Sequence, residues 1–191
     1  MKSICVYCGS SPGARPEYAA AAAELGRALA GRGITLVYGG SNVGLMRVVA
    51  DTVLGAGGRV VGVMPHVLIH KEVAHRGLTE LVEVKSMHER KFAMAERADG
   101  FIAMPGGIGT LEEIAEIFVW AQLGIHRKPV ALLNVAGFFD PLVSFLQHMV
   151  TERFLRAEQV GGLIVESGID PLLERMRTHQ PLVLDKWIDR G

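Results

Sequence analysis

The sequence predicts an α/β fold: a doubly wound parallel sheet with helices on both faces. Two features predict it. Short apolar runs bounded by glycine alternate with segments of helical periodicity, the pattern of consecutive β-α-β units. Three of the strand exits open into glycine-rich loops, as expected where ligands bind beyond the carboxyl ends of parallel strands. A chain of 191 residues that is 49% apolar suits one domain with a full core and excludes wholesale disorder.

The first strand is expected over residues 3–8, an apolar run leading into Gly9. A helix over 17–30 follows, strengthened by the helix formers Ala19 to Ala23. A strand over 34–38 closes on Gly39-Gly40, and a helix over 44–54 comes next. Glycine-bounded apolar runs place strands at 59–63 and 81–84. Residues 87–98 read as a helix in which Met87, Arg90, Lys91 and Met94 fall at i, i+3, i+4 and i+7, and so on one stripe. The strand over 100–104 runs into Pro105, and a helix over 110–123 puts Leu111, Ile114, Ala115 and Phe118 on one face. A strand at 130–134, a helix at 139–152 and a short helix at 167–178 complete the pattern.

Composition narrows the function. Twenty basic residues balance twenty acidic ones, so no global field holds a nucleic-acid polymer, whose binding depends on Lys and Arg at its phosphates. No apolar stretch is long enough to span a bilayer, and the N-terminus carries no signal peptide, so a cytoplasmic protein with no membrane partner is expected. Cys5 and Cys8 have C-x-x-C spacing, but in a strand residues three apart face opposite sides, so buried thiols are expected rather than a redox pair or zinc site.

The most specific motif is Pro105-Gly106-Gly107-Ile108-Gly109-Thr110-Leu111-Glu112-Glu113, at a strand-loop-helix junction. Gly106, Gly107 and Gly109 let the backbone approach a ligand, so that successive N–H groups converge on one anion. The Thr110 hydroxyl and the helix dipole add attraction for phosphate. A carboxylate in the first helical turn would repel that phosphate, so Glu112 or Glu113 is expected to face a neutral, hydroxyl-bearing part of the ligand. A phosphorylated sugar meets both demands. The loops Gly9-Ser10-Ser11-Pro12-Gly13 and Gly39-Gly40-Ser41-Asn42-Val43-Gly44 are expected to line the same crevice. A dinucleotide site is not, because the first loop lacks G-x-G-x-x-G and the second strand lacks a terminal acid.

The run Met87-His88-Glu89-Arg90-Lys91 opens the helix that precedes the phosphate loop. Snorkelling would account for two cations on a partly apolar stripe, but an arginine fork in this position also matches phosphate or sugar oxygens. Together with Pro105-Gly106-Gly107-x-Gly109-Thr110-x-x-Glu113, this run closely resembles the LONELY GUY family of cytokinin riboside 5′-monophosphate phosphoribohydrolases. The similarity extends from Cys5-Val6-Tyr7-Cys8-Gly9-Ser10-Ser11 through Tyr38-Gly39-Gly40 and Val43-Gly44-Leu45-Met46 to Trp120-Ala121-Gln122-Leu123-Gly124-Ile125-His126 and Lys128-Pro129. Ser41 stands where a third glycine is common, and Arg47 replaces a glycine usual after Leu-Met.

The resemblance implies a Rossmann-like nucleotide-binding domain over residues 1–180, a C-terminal tail over 181–191 and a homodimer. It implies hydrolysis of the N-glycosidic bond of N6-modified adenosine monophosphates, and of AMP, to free base and ribose 5-phosphate, with no cofactor and no metal. The family's catalytic pair falls on Arg90 and Glu113. Gly9, Ser10, Gly39, Gly40, Met87, Lys91, Pro105, Gly106, Gly107, Gly109, Thr110 and Glu112 are the expected substrate contacts. A carboxylate suits the oxocarbenium-like charge of glycoside cleavage, whereas an arginine stays protonated and serves as anchor or charge stabiliser. His66, His70 and His75 are discounted as metal ligands and assigned to a mobile loop over the pocket. Trp120, Phe118 and Leu123 are expected to pack against a partner helix. The alternative is a non-catalytic nucleotide or molybdenum-cofactor carrier, similar in fold and loops. The lysine decarboxylase label attached to relatives is rejected, since no lysine has an evident Schiff-base setting for pyridoxal phosphate.

Overall fold

Fully buried parallel strands read as nearly continuous apolar runs, because helices cover both faces of the sheet. The computed structural model, which describes residues 1–69 and 74–181, shows such a sheet. Its strands are β1 (Ser3–Tyr7), β2 (Thr35–Tyr38), β3 (Val60–Pro65), β4 (Glu80–Val84), β5 (Phe101–Ala103), β6 (Val130–Leu133) and β7 (Leu163–Glu166). Every residue of β3 and β6 is buried. The helices are α1 (Pro16–Gly31), α2 (Gly44–Gly55), α3 (His66–Ile69), α4 (Met87–Arg97), α5 (Ile108–Gln122), α6 (Asp140–Thr151), α7 (Ala157–Gly161) and α8 (Ile169–Arg177). His70, and residues 182–191 of the expected tail, lie outside the described residues.

The strand order is β4-β3-β2-β1-β5-β6-β7, and every pairing is parallel. β1 is the pivot. The chain builds outward from it to β4, then returns to its other side at β5, which makes the gap between the β1 and β5 exits the topological switch point. Two cores flank the sheet. One gathers Leu25 and Leu29 of α1, Leu45 and Val49 of α2, and Leu172 and Met176 of α8. The other gathers Met94 of α4, Ile114 and Ile117 of α5, and Phe139 beside α6. Period-two alternation along β1 sends Ile4, Val6 and Cys8 to the first core and Cys5 and Tyr7 to the second. Burial pushes both thiols up, so each stays protonated.

Three features differ from the sequence expectation. Leu163–Glu166 is a seventh strand, paired in parallel with β6, and the five-residue α7 delivers it. α3 is a single turn after β3. α5 starts at Ile108, two residues before the expected Thr110, because Gly107 serves as its N-cap. Glu112 and Glu113 therefore stand in the second turn, away from the first-turn amides, and the expected repulsion between an acid there and a bound phosphate is relieved. Among the described residues, no helix is long and apolar enough to cross a membrane.

Candidate active site

The exits of β1 and β5 are joined by backbone. Met104 N–H donates to the Tyr7 carbonyl at 2.8 Å, and Gly9 N–H donates to the Pro105 carbonyl at 3.0 Å. Leu45 N–H donates to the Gly9 carbonyl at 3.0 Å, which brings the start of α2 to the same point. Gly106 has no room for a side chain: a Cβ there would overlap the Thr110 hydroxyl and lie 2.9 Å from Gly9 N. Thr110 is buried beneath that glycine, so its hydroxyl shapes the loop from below. Gly107, Ile108 and Gly109 are exposed, and no side chain caps α5. Its first N–H groups, at the positive end of the dipole, are of the kind that can receive an anion.

α4 is started by side-chain capping. Ser86 Oγ accepts from Glu89 N–H at 3.1 Å, and Glu89 Oε2 accepts from Lys85 N–H at 2.8 Å. That start puts Arg90 in the opening turns, directed over the sheet's carboxyl edge. Its Nε donates to the Val63 carbonyl at 3.2 Å, and Nη1 stands 3.9 Å from Met87 Sδ and 3.7 Å from Glu113 Oε1. Arg90 and Glu113 side chains are each only 13% exposed, so the pair interacts largely out of water. Burial raises the Glu113 carboxyl above the usual range and outweighs the Arg90 guanidinium, which draws it down. Gly39 forms the floor of the arginine slot, because a Cβ there would overlap Arg90 Nη2.

Lys91 turns the other way. It is buried and ion-paired to Glu112, and its Nζ stands 3.1 Å from Glu116 Oε2, which clasps α4 to α5. The structure thus brings together Arg90, Glu113, Met87, Gly39 and Val63 at one place, and Gly9, Pro105, Gly106 and Thr110 beside it. Lys91 and Glu112 are occupied with each other, and Ser10 lies exposed on the loop pressed against Gly44. Sequence reasoning missed His75, discounted as a loop residue. It is 8% exposed, with Nε2 2.8 Å from Asp51 Oδ1, while Arg47 Nε lies 3.1 Å from Asp51 Oδ2. The only prior signal was the i, i+4 spacing of Arg47 and Asp51. His66 pairs with Glu83 at 3.1 Å. A separate cavity of 210 Å³, lined by Phe118, Leu123, His126 and Lys128, lies at the far end of α5. Two of its polar groups are engaged: His126 with the Ile117 carbonyl and Lys128 with the Ala95 carbonyl.

Fold and site define a class: a doubly wound parallel α/β protein whose switch point carries an uncapped glycine loop and a buried arginine–glutamate pair. Comparison gives the family. The profile described as "Possible lysine decarboxylase" matches residues 46–176. The chain is 51% identical over 167 residues to the cytokinin riboside 5′-monophosphate phosphoribohydrolase LOG of Oryza sativa subsp. japonica, covering 87% of this chain and 69% of that one. It is 45% identical over 181 residues to the cytokinin riboside 5′-monophosphate phosphoribohydrolase LOG7 of Arabidopsis thaliana, covering 95% of this chain and 83% of that one. Among solved structures, that of TM1055 superposes with TM-score 0.71 at 26% identity, covering 93% of this chain and 99% of that one. The molybdenum cofactor carrier protein of Chlamydomonas reinhardtii superposes with TM-score 0.69 at 20% identity, covering 92% and 96%, a likeness of fold alone. The chain belongs to the cytokinin riboside 5′-monophosphate phosphoribohydrolase family, within the group that carries the decarboxylase description.

Proposed function

We propose that the protein hydrolyses the N-glycosidic bond of N6-modified adenosine 5′-monophosphates, and of AMP, releasing free base and ribose 5-phosphate. The observation that carries this reading is the buried Arg90–Glu113 pair, 3.7 Å apart beside the uncapped start of α5. The 5′-phosphate docks on the amides of Gly106, Gly107 and Gly109. Gly9, Ser10, Pro105 and Thr110 shape that seat, and Gly39, Gly40 and Met87 border the arginine. Phosphate binding then orients the anomeric carbon against Glu113.

As the C1′–N9 bond breaks, its electron pair leaves with the base, and positive charge on the ribose is stabilised by the Glu113 carboxylate. Water bonds to C1′ and gives up a proton to Glu113, which passes it on to solvent, while the departing base takes up one proton from solvent, so the sum is water added across C1′–N9. Burial raises the Glu113 carboxyl, which makes it a better acceptor for that proton than an exposed glutamate. Arg90 stays charged throughout, so it keeps Glu113 ionised beforehand and steadies the departing base. The Lys91–Glu112 clasp fixes α4 against α5 and so sets the spacing of the catalytic pair. Lysine chemistry with a carbonyl cofactor finds no support at Lys91 or Lys128, whose amines are held by carboxylates and by a backbone carbonyl.

A homodimer is supported by Phe92 on α4, Leu111 and Val119 on α5, and Phe145 on α6, all exposed apolar side chains. A cytoplasmic location fits a nucleotide substrate and two free, buried thiols.

The test is incubation with AMP, with isopentenyladenosine monophosphate and with its unphosphorylated nucleoside, followed by detection of free base and ribose 5-phosphate. The monophosphates are cleaved and the nucleoside far less so. Glu113→Gln abolishes release while keeping the fold. Equal turnover of nucleoside and monophosphate, or full activity in Glu113→Gln, removes this assignment. Tight binding without release selects the carrier alternative.

A further inference from the structure

The floor of the arginine slot is held from outside the catalytic pair. Gly39 lies against the guanidinium, and the next residue, Gly40, has φ +81°, a left-handed turn that favours glycine. The Gly40 carbonyl accepts from His75 N–H at 3.0 Å, and Ser41 makes an antiparallel bridge to Ala74. The His75 ring is itself fixed at both nitrogens. Gly77 N–H donates to Nδ1 at 3.1 Å, which makes Nδ1 the acceptor and leaves Nε2–H to donate to Asp51 at 2.8 Å. Asp51 is held in turn by Arg47 on the same helix. Burial alone would raise its carboxyl, but the bonds from His75 and Arg47 outweigh that and hold it below the usual range. A continuous path therefore runs from α2 through Asp51, His75 and Gly40 to Gly39 and the Arg90 guanidinium.

We propose that His75 is a positioning residue: anchored to Asp51, it holds the Gly39–Gly40 turn beneath Arg90 and thereby sets the guanidinium's distance from Glu113. The contacts that fix it are with α2 and the β2 exit, not with the phosphate loop, so its loss affects turnover more than phosphate affinity. The consequence for rate rests on the hydrolase reading, whereas the consequence for Arg90 geometry does not.

The test uses full-length wild type, His75→Ala and His75→Gln, the last keeping an N–H donor near the place of Nε2. Three quantities are measured: kcat and KM on the cleaved monophosphate, affinity for ribose 5-phosphate, and hydrogen exchange of the Arg90 Nε–H by ¹⁵N NMR. That resonance is assigned by its loss in Arg90→Lys. Misplacement of a catalytic group by about 1 Å lowers rate on the order of 10- to 100-fold. His75→Ala therefore lowers kcat by at least tenfold, leaves ribose 5-phosphate affinity within about twofold and speeds Arg90 exchange. His75→Gln restores most of each. Unchanged kcat and exchange in His75→Ala overturn the proposal, as does equal loss of kcat and ribose 5-phosphate affinity that Gln fails to rescue. If wild type releases no base, the hydrolase reading fails, and Arg90 exchange alone then decides the role of His75.

Discussion

Replacing Gly39 with alanine separates the fold from the chemistry. The new methyl would overlap Arg90 Nη2 and lie 3.1 Å from Cζ and 3.6 Å from Nε. Ordinary carbon contacts need about 3.5–4.0 Å, so the guanidinium end must retreat by roughly 1.5 Å. Gly39 is not in the left-handed region, so alanine brings no backbone strain at this position. The clash falls on the far end of a flexible side chain, which swings away at little cost in stability. Its catalytic position does not survive: the bond to the Val63 carbonyl and the approach to Glu113 depend on that same guanidinium. A shift of this size corresponds to a loss of about 100-fold in kcat/KM, or roughly 2.7 kcal/mol of transition-state stabilisation. The assay is base release from isopentenyladenosine monophosphate, with thermal unfolding measured alongside. Gly39→Ala retaining kcat/KM within about threefold of wild type would refute the slot geometry.

Further outcomes follow from the same geometry. The acid limb of kcat/KM falls above the ordinary glutamate pKa of about 4.3, because Glu113 must be ionised and burial raises its carboxyl. Arg90→Gln moves that limb higher still, since it removes the charge that draws the carboxyl down, and a residual-activity pH profile with its limb unmoved would contradict this. The linkage to stability has the opposite sense, since a raised folded pKa favours folding below the unfolded value and loses that contribution as pH rises through the folded one. Ser41 is 1% exposed, and among the described residues its hydroxyl has no hydrogen-bond partner. Ser41→Ala is therefore expected to stabilise by about 1 kcal/mol, raising Tm by roughly 2–4 °C in calorimetry, and a lowered Tm would show the hydroxyl to be satisfied.

The alternation of apolar runs and helical periods was enough to read a doubly wound sheet, since a parallel sheet covered on both faces makes its central strands apolar throughout, and only the edge strand β4 carries exposed glutamates. The opposite facing of Cys5 and Cys8 followed from strand periodicity and holds. β7 was not legible, because a four-residue run beside a five-residue helix carries too few positions for either period to declare itself. The start of α5 was placed late because Gly109 reads as loop, although it is helical here. The pairing of Arg90 with Glu113 was legible through the family resemblance, whereas helix order said only that the Arg90 helix precedes the strand leading to the glycine loop. Lys91 turning to Glu112 required knowledge of how α4 meets α5, and the Asp51–His75 bond spans 24 residues with no local pattern to announce it.

The bond from Gly9 to the Pro105 carbonyl crosses most of the first half of the chain, and this has a temporal meaning. The amides lie in the later β-α-β stretch, but the opening one packs Gly9 against Gly106 and bonds the Pro105 carbonyl, so each half owns one lip of the crevice. The two lips meet only when β5 has paired with β1, a contact of long sequence separation whose loop-closure cost must be met before the site can take shape.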